Sequence, residues 1–356
     1  MIRPTFYIKM IEISGKYLQP SSSVNYIEKG VPIVKKDISY EEFFEQFLVG
    51  NQPCIFESDF TSHWKSRKEW VLQDSGMPNF EFLSNTFGSA KVPVADCNDQ
   101  YYNSQMKIED TVVNFIEYWK NYCDKGYPEE FPCLYLKDWH FPRDYPDYEA
   151  YHWPLHFAAD WLNEFWMSKP DDYRFVTPMH VDVLTSYSWS SNICGRKRWL
   201  LFPPGNEKKL VTHFGEMPFL CELAAPEDQA ILVEQEAGET IFVPSGWYHQ
   251  VWNLEDTISI NHNWLNGCCI AQAWAGLKND LRAVKKELSD CMDMEGWEEQ
   301  CQVVLAANTG SNLYDFFNFL DSIAQTRLRC LDDVDTPVSF HWTLGKNHAR
   351  ILPDVA

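Results

Sequence analysis

Phe175-Val176-Thr177-Pro178-Met179-His180-Val181-Asp182-Val183-Leu184 is the stretch on which the reading of this chain turns. Its β-branched and aromatic residues have the composition of a strand. Residues i and i+2 of a strand project from one face, so His180 and Asp182 can reach a common metal ion. A second extended segment (Val251, Trp252, Ile258, Ile260) restarts after the turn Pro244-Ser245-Gly246-Trp247-Tyr248 and carries His249 at its start. The 67 residues from Asp182 to His249 leave room for several intervening strands of a barrel. Two imidazoles and one carboxylate are the protein ligands of the facial triad that holds non-heme Fe(II) with coordination positions left open. Of the ten histidines, only His180 has an aspartate two residues on. Taken alone, that pair also fits a half-buried strand histidine bonded to a neighbouring carboxylate.

Lys197 shifts the balance. Gly195-Arg196-Lys197-Arg198-Trp199-Leu200-Leu201-Phe202-Pro203-Pro204 reads as a strand stopped by a double proline, which cannot continue a ladder. Alternation puts Lys197 on one face with Trp199 and Leu201, and Arg196 and Arg198 on the other. A lysine among large apolar side chains is costly unless an anion meets it. A solvated basic strand end is the plain alternative. Beside a metal triad, a dicarboxylate is the natural anion, with one end on the metal and the other on Lys197.

Val176 to Asp182, the Gly195–Pro204 strand and Pro244 to His249 together resemble the JmjC (jumonji C) oxygenases, which use 2-oxoglutarate and Fe(II). Order, spacing and flanking residues all agree, from about Leu134 to Trp264. Leu134 to Phe141, Asp160 to Asn163 and Ser186 to Lys197 further resemble the jumonji-domain-containing protein four branch, known as lysyl hydroxylases. The resemblance implies a mostly β fold with surrounding helices: a double-stranded β-helix, or cupin-like jelly roll. It implies His180, Asp182 and His249 as iron ligands and Lys197 as the partner of the distal carboxylate of 2-oxoglutarate. Thr177 and Tyr135 match hydroxyl positions that contact the same cosubstrate. Asn261 and Asn263 lie where relatives place a hydrogen-bonding residue toward the iron-bound end. Ser190 stands where several relatives have asparagine. His262, between the two asparagines, points away from them by alternation, so His249 is preferred as the ligand. The implied reaction consumes dioxygen and 2-oxoglutarate and returns a hydroxyl to an unactivated C–H bond.

Composition sets limits on this reading. The chain has 356 residues, 45% of them hydrophobic and 23% charged, enough to build a substantial core. Its formal charge of −21 argues against non-specific nucleic-acid binding and favours a basic protein or peptide partner, although acidity also serves solubility. The first residues show no secretory signal, and no apolar run reaches the roughly 20 residues of a membrane helix. Eleven cysteines without a CxxC pair point to reduced thiols in the cytoplasm, with the nucleus as the second possibility. Adjacent Cys268 and Cys269 point apart and read as structural filling.

Three segments are expected along the chain. Residues 1–130 hold helices and strands flanking the barrel, 131–270 the JmjC core, and 271–356 a helical extension. In the first, Ser39 and Glu42 form a capping box ahead of Phe43, Phe44, Phe47 and Leu48. Strands are expected at Pro53–Phe56 and Val92–Ala95, and helices around Trp64–Leu72, over Glu109–Tyr122 and over Phe157–Trp166. The acidic, tyrosine-rich stretch Phe141–Tyr148 is a candidate loop for receiving a cationic side chain, though turn residues alone also explain it. Ala273, Leu277, Leu281, Val284 and Leu288 recur at helical spacing, and further helices follow over Gly296–Ala307 and Asn312–Leu328. This extension packs on the barrel or forms a homodimer contact.

The leading functional reading is a 2-oxoglutarate/Fe(II) protein hydroxylase acting on lysine, and the branch resemblance points to the translation termination (release) factor as substrate. A JmjC lysine demethylase is the first alternative, although no zinc-finger cysteine pattern accompanies it. A catalytically silent acidic scaffold is another. Zinc hydrolysis leaves Lys197 unexplained.

Overall fold

Two facing sheets organise the computed structural model, which describes residues 30–97, 107–128, 130–167, 183–206, 230–332, 341–344 and 347–350. His180, Asp182 and Thr177 lie outside the described residues. The larger sheet has the order β1 (Ile33–Val34), β2 (Cys54–Phe56), β9 (Thr240–Val243), β6 (Tyr187–Cys194) and β11 (Ile258–Trp264). The smaller has the order β10 (Tyr248–Asn253), β7 (Lys197–Phe202) and β8 (Ile231–Gln235). A third sheet alongside them joins β4 (Lys107–Thr111), β3 (Lys91–Asp96) and β5 (Leu134–Leu136). Helices surround these sheets, and no sheet closes on itself among the described residues.

The inner faces of the two main sheets meet in one apolar cluster. It joins Ile55, Ile241 and Val243 to Trp199, Leu201, Ile231 and Trp247. On the other side of the large sheet the helices build a second, larger core. Phe43, Phe157, Trp189, Phe242 and Trp264 lie there as contacting, buried rings. The strand β6 shows why its sequence alternates as it does. Tyr187 and Trp189 turn outward into the helical core, while Ser188 and Ser190 pair with Val243 and Ile241 on the inward face. Apolar residues outside and polar ones inside is the pattern of a sheet whose back is covered and whose front holds something polar.

The capping box expected at Ser39 is formed. Ser39 Oγ accepts from the Glu42 amide at 3.1 Å, and Glu42 Oε2 accepts from the Ser39 amide at 3.1 Å. The helix α1 (Tyr40–Phe43) then widens into a π-helical turn over Phe44–Val49, which buries Phe47 and Leu48. The short helix α2 (Lys65–Glu69) and α3 (Phe80–Phe87) follow.

Several boundaries differ from expectation. Glu109, Asp110 and Thr111 belong to β4, because they pair with β3 in register. Helix α4 (Val112–Asp124) begins only where Thr111 Oγ1 accepts from the Asn114 amide. The helix expected over Phe157–Trp166 is split into a 3₁₀ turn at Leu155–Phe157 and a helix α6 (Trp161–Met167), since Asp160 Oδ1 accepts from the Asn163 amide at 2.9 Å and restarts the chain. Val183 and Leu184 do not continue a strand. They form a 3₁₀ turn with Thr185, and Leu184 and Thr185 are left-handed (φ 55° and 49°), so the chain swings into β6.

The Phe141–Tyr148 stretch turns its rings inward and leaves Pro142, Arg143, Asp144, Pro146 and Asp147 exposed. Its first residues form the short helix α5 (Phe141–Asp144). Phe141, Tyr145 and Tyr148 all pack on Phe87 at centroid distances of 5.0, 4.8 and 5.1 Å. Tyr148 already receives a cation from the same chain: Lys65 Nζ stands 3.9 Å from its ring centroid. Beyond the sheets run α7 (Ile270–Glu287), α8 (Trp297–Thr309) and α9 (Leu313–Asp332), close to the expected helices. Cys269 is wholly buried, in keeping with filling. The last described element is a strand pair, His341–Leu344 with Asn347–Arg350, where the helical reading expected none.

Candidate active site

Alternation carries Lys197 to the inward face of β7, as its spacing from Trp199 and Leu201 requires. Trp199 and Leu201 belong to the apolar cluster between the sheets. Arg196 and Arg198 face outward and pair with Glu234 and Glu255. Lys197 is only 6% exposed. Among the described residues no carboxylate meets it, and burial alone pulls its ammonium down to about 8. Its nearest described ring is Trp199, with Nζ 5.9 Å from the centroid. An unpaired cation at this depth is the arrangement expected of a receptor for an anion.

His249 reaches the same face from β10. It stands opposite Leu201 in the antiparallel register, and Asn253 stands opposite Lys197. The imidazole lies 5.7 Å from the Trp199 ring, so the indole forms a floor running from His249 toward Lys197. His249 Nδ1 is 3.0 Å from the main-chain oxygen of Trp247. A carbonyl only accepts, so Nδ1 carries the proton and Nε2 the lone pair. That is the tautomer in which a histidine ligates metal, with its second nitrogen held by an outer partner.

The turn before His249 is clamped from two sides. Gly246 takes φ +75°, a conformation glycine adopts without strain. Asn51 Nδ2 donates to Ser245 O at 2.9 Å, and Trp247 Nε1 donates to Asn51 O at 3.0 Å. Ser245 Oγ donates to Thr185 O at 2.5 Å. Thr185 lies three residues past Asp182, so the stretch leaving one expected ligand segment is bonded to the turn approaching the other.

The large sheet supplies the opposite wall. Ser190 pairs with Asn261, and Ser188 with Asn263, so all four share the inward face. Ser190 Oγ is buried with no hydrogen-bond partner, an orphaned polar atom aimed between the sheets. Asn263 Nδ2 donates to Ser186 Oγ at 3.2 Å, while Asn261 is exposed. Tyr135 sits on β5 opposite Ala95, 37% exposed, in the third sheet.

His262 is on the other face, as alternation required. It is wedged between Trp153 and Trp189, with centroids 4.2 and 4.8 Å away, and Tyr151 Oη hydrogen-bonds its Nε2 at 2.6 Å. Burial, and then the charge of His140, pull its pKa down to about 3. It is a neutral structural histidine.

Gln235 is a residue the sequence reading missed. It faces Lys197 across β7–β8 and is fully buried. Its Oε1 accepts from Trp199 Nε1 at 2.9 Å, and its Nε2 donates to Ser190 O at 2.8 Å and to Glu239 O at 2.9 Å. One amide thus fixes the indole floor and bridges the two sheets. A polar residue ending an apolar strand was the available signal, but its partner could not be known without the register.

Among the described residues, His249, Lys197 and Ser190 suit a site for an anion beside one metal ligand, while the other two expected ligands lie outside them and no cluster of three ligating side chains occurs within them. His249 is held through Nδ1, and among the described residues the buried Lys197 ammonium meets no carboxylate and the buried Ser190 hydroxyl meets no partner. Comparison with known proteins points the same way. A profile described as "Cupin-like domain" matches residues 40–268. The chain is 46% identical to the "2-oxoglutarate and iron-dependent oxygenase JMJD4" of Homo sapiens, covering 82% of this chain and 75% of that protein. It is 44% identical to the protein of the same name in Gallus gallus, over 88% and 80% respectively. The "Arginine-specific demethylase JMJ20" of Arabidopsis thaliana is 41% identical, over 80% and 68%.

Proposed function

This chain belongs to the cupin-like JmjC family of 2-oxoglutarate and iron-dependent oxygenases, and on that footing we propose that it hydroxylates a lysine side chain of a protein, with a translation termination (release) factor as the expected substrate. The observation that carries the reading of the site is Lys197: a buried ammonium with no described carboxylate is accounted for by a cosubstrate with two acidic ends.

His180, Asp182 and His249 would hold Fe(II), although only His249 lies within the described residues. When bound, the metal supplies, together with 2-oxoglutarate and dioxygen, the oxidising power to hydroxylate a C–H bond, with release of succinate and carbon dioxide. The chain's own residues do the rest. Lys197 pairs with the distal carboxylate and so sets how far the cosubstrate enters. Trp199, held by Gln235, keeps water from beneath it. Asn261, Asn263 and Ser190 offer hydrogen bonds from the facing wall, and Thr177 and Tyr135 are the remaining hydroxyls assigned to the cosubstrate. No side chain has to act as a strong acid or base, so orientation and exclusion of water are the protein's contributions.

The acidic charge of −21 supports a basic substrate segment, which long-range attraction would draw in. The test is mass spectrometry of the release factor after incubation with the enzyme. A gain of one oxygen on a lysine, dependent on Fe(II) and 2-oxoglutarate, is expected. An unchanged mass with enzyme that still turns over 2-oxoglutarate would discard the substrate. The plant relative named a demethylase favours a second reading, oxidation of an N-methyl group. Formaldehyde release from methylated peptides separates the two.

A further inference from the structure

Strands β3 and β5 run antiparallel with Asp96 opposite Leu134, so the next rung brings Cys97 to face Cys133. That rung is formed, since the Cys97 amide donates to Cys133 O at 2.8 Å. Facing residues on such a hydrogen-bonded rung have Cα atoms about 5.5 Å apart, inside the range of about 4.4–6.8 Å that a disulfide spans. The two sulfurs face one another across this rung, close enough for each to influence the other's acidity. Both are reduced, Cys97 exposed and Cys133 half-buried, so a reagent can approach them.

The two sulfurs are unequal. The neighbouring Cys97 thiol holds Cys133 below the ordinary thiol range, against the opposing effect of burial, and the nearby Tyr122 hydroxyl acts in the same direction. Cys97 is correspondingly raised and keeps its proton. One sulfur is thus the readier to ionise and the other a protonated neighbour, the pairing that thiol–disulfide exchange uses. Five other described cysteines lack these features. Cys54, Cys194, Cys269 and Cys301 are buried, and Cys123 is turned to the Asp256 carboxylate, which disfavours its thiolate.

The geometry points to a reversible thiol–disulfide site at Cys97 and Cys133, oxidised by a low-molecular-weight disulfide of the glutathione class. The Cys133 thiolate attacks one sulfur of glutathione disulfide, forming a mixed disulfide and releasing one glutathione thiolate. The Cys97 sulfur then attacks the Cys133 sulfur of that mixed disulfide. The second glutathione leaves and takes up the Cys97 proton. Two electrons pass from the cysteine sulfurs to the reagent, whose S–S bond becomes two glutathione thiols. The new bond lies two residues before Tyr135, at the entry to its strand. Nothing in this inference depends on the iron site.

The test uses the full chain equilibrated in glutathione buffers of graded redox ratio, quenched by alkylation and mapped by peptide mass spectrometry. Wild type is expected to lose both thiols together and to yield a linked Cys97–Cys133 peptide that dithiothreitol cleaves. Cys97→Ser is expected to stop at a glutathione adduct on Cys133, and Cys133→Ser to give neither link nor adduct at Cys97. Circular dichroism of each variant controls for folding. Full alkylation of Cys97 and Cys133 in wild type under buffers that oxidise other thiols would overturn the site. So would a Cys97→Ser protein with no adduct on Cys133.

Discussion

Ser245 Oγ donates to the main-chain oxygen of Thr185 at 2.5 Å, and this one bond joins the stretch that follows Asp182 to the turn that precedes His249. Ser245 is itself buried, and its carbonyl is held by Asn51. A hydroxyl in this place sets the approach of two ligand segments without touching metal. Outer partners of metal ligands are commonly worth 10- to 100-fold in affinity. Ser245→Ala is therefore expected to weaken Fe(II) binding about tenfold, while turnover at saturating metal stays near that of wild type. Anaerobic titration of the metal measures this. An affinity equal to wild type would show that the two segments find each other without the serine.

Lys197 makes opposite demands on stability and on binding. Its folded pKa of about 8 lies below the ordinary 10.5, so between those values the unfolded chain holds more protons than the native one. Without cosubstrate, stability is therefore expected to rise as pH climbs from about 8 toward 10.5, with the full penalty present below about 8. The gap corresponds to an effect on the order of 3 kcal/mol. Lys197→Met removes the buried charge, so the ligand-free variant should melt higher than wild type at pH 7. The same variant should raise KM for 2-oxoglutarate roughly 10- to 100-fold, the worth of a charge-assisted contact. Thermal melts and cosubstrate kinetics on one preparation check both signs. A variant that melts lower and binds normally would contradict both halves.

Local periodicity was enough to read part of this site. Two-residue alternation separated Lys197 from Arg196 and Arg198, and separated His262 from Asn261 and Asn263, because side-chain direction in a strand needs no partner to be known. What depended on register was illegible. Gln235 bonds to Ser190 across 45 residues of sequence, and nothing local marks that meeting. The turn at Leu184 and Thr185 was hidden for another reason: strand-forming composition around Val183 was overridden by the swing into β6. At Glu109 to Thr111, pairing with β3 overrode a helical pattern in the same way. His180, Asp182 and Thr177 rest on motif alone.

Gln235 offers a test of the bridge between the sheets. Replacing it with leucine leaves Trp199 Nε1, Ser190 O and Glu239 O without their partner in a buried place. Each unsatisfied group costs about 1–3 kcal/mol, so Gln235→Leu is expected to lose at least about 3 kcal/mol by urea denaturation. The freed indole should also raise KM for 2-oxoglutarate, since it forms the floor beside Lys197. Normal stability would mean the amide is replaceable by water.

His249 and His262 lie on opposite sides of the large sheet, and their alanine variants should fail in opposite ways. His249 presents Nε2 to the space between the sheets, so His249→Ala is expected to lower metal affinity at least about 100-fold while stability changes by about 1 kcal/mol or less. His262 fills an aromatic box with Trp153, Trp189 and Tyr151, so His262→Ala should cost about 3 kcal/mol through the cavity left behind, with metal stoichiometry unchanged. Its pH behaviour adds a second reading. A folded pKa of about 3 against an ordinary 6.5 means the unfolded chain takes up the proton first, so the stability due to neutral His262 is complete above about 6.5 and drains away as pH falls toward 3. His262→Phe, which keeps the ring volume, should flatten that part of the acid profile even though it leaves the Tyr151 hydroxyl without its partner. Metal content by inductively coupled plasma analysis and melts from pH 7 down to pH 4 distinguish the two histidines. If His262→Ala emptied the metal site while His249→Ala kept it, the ligand assignment would have to be exchanged.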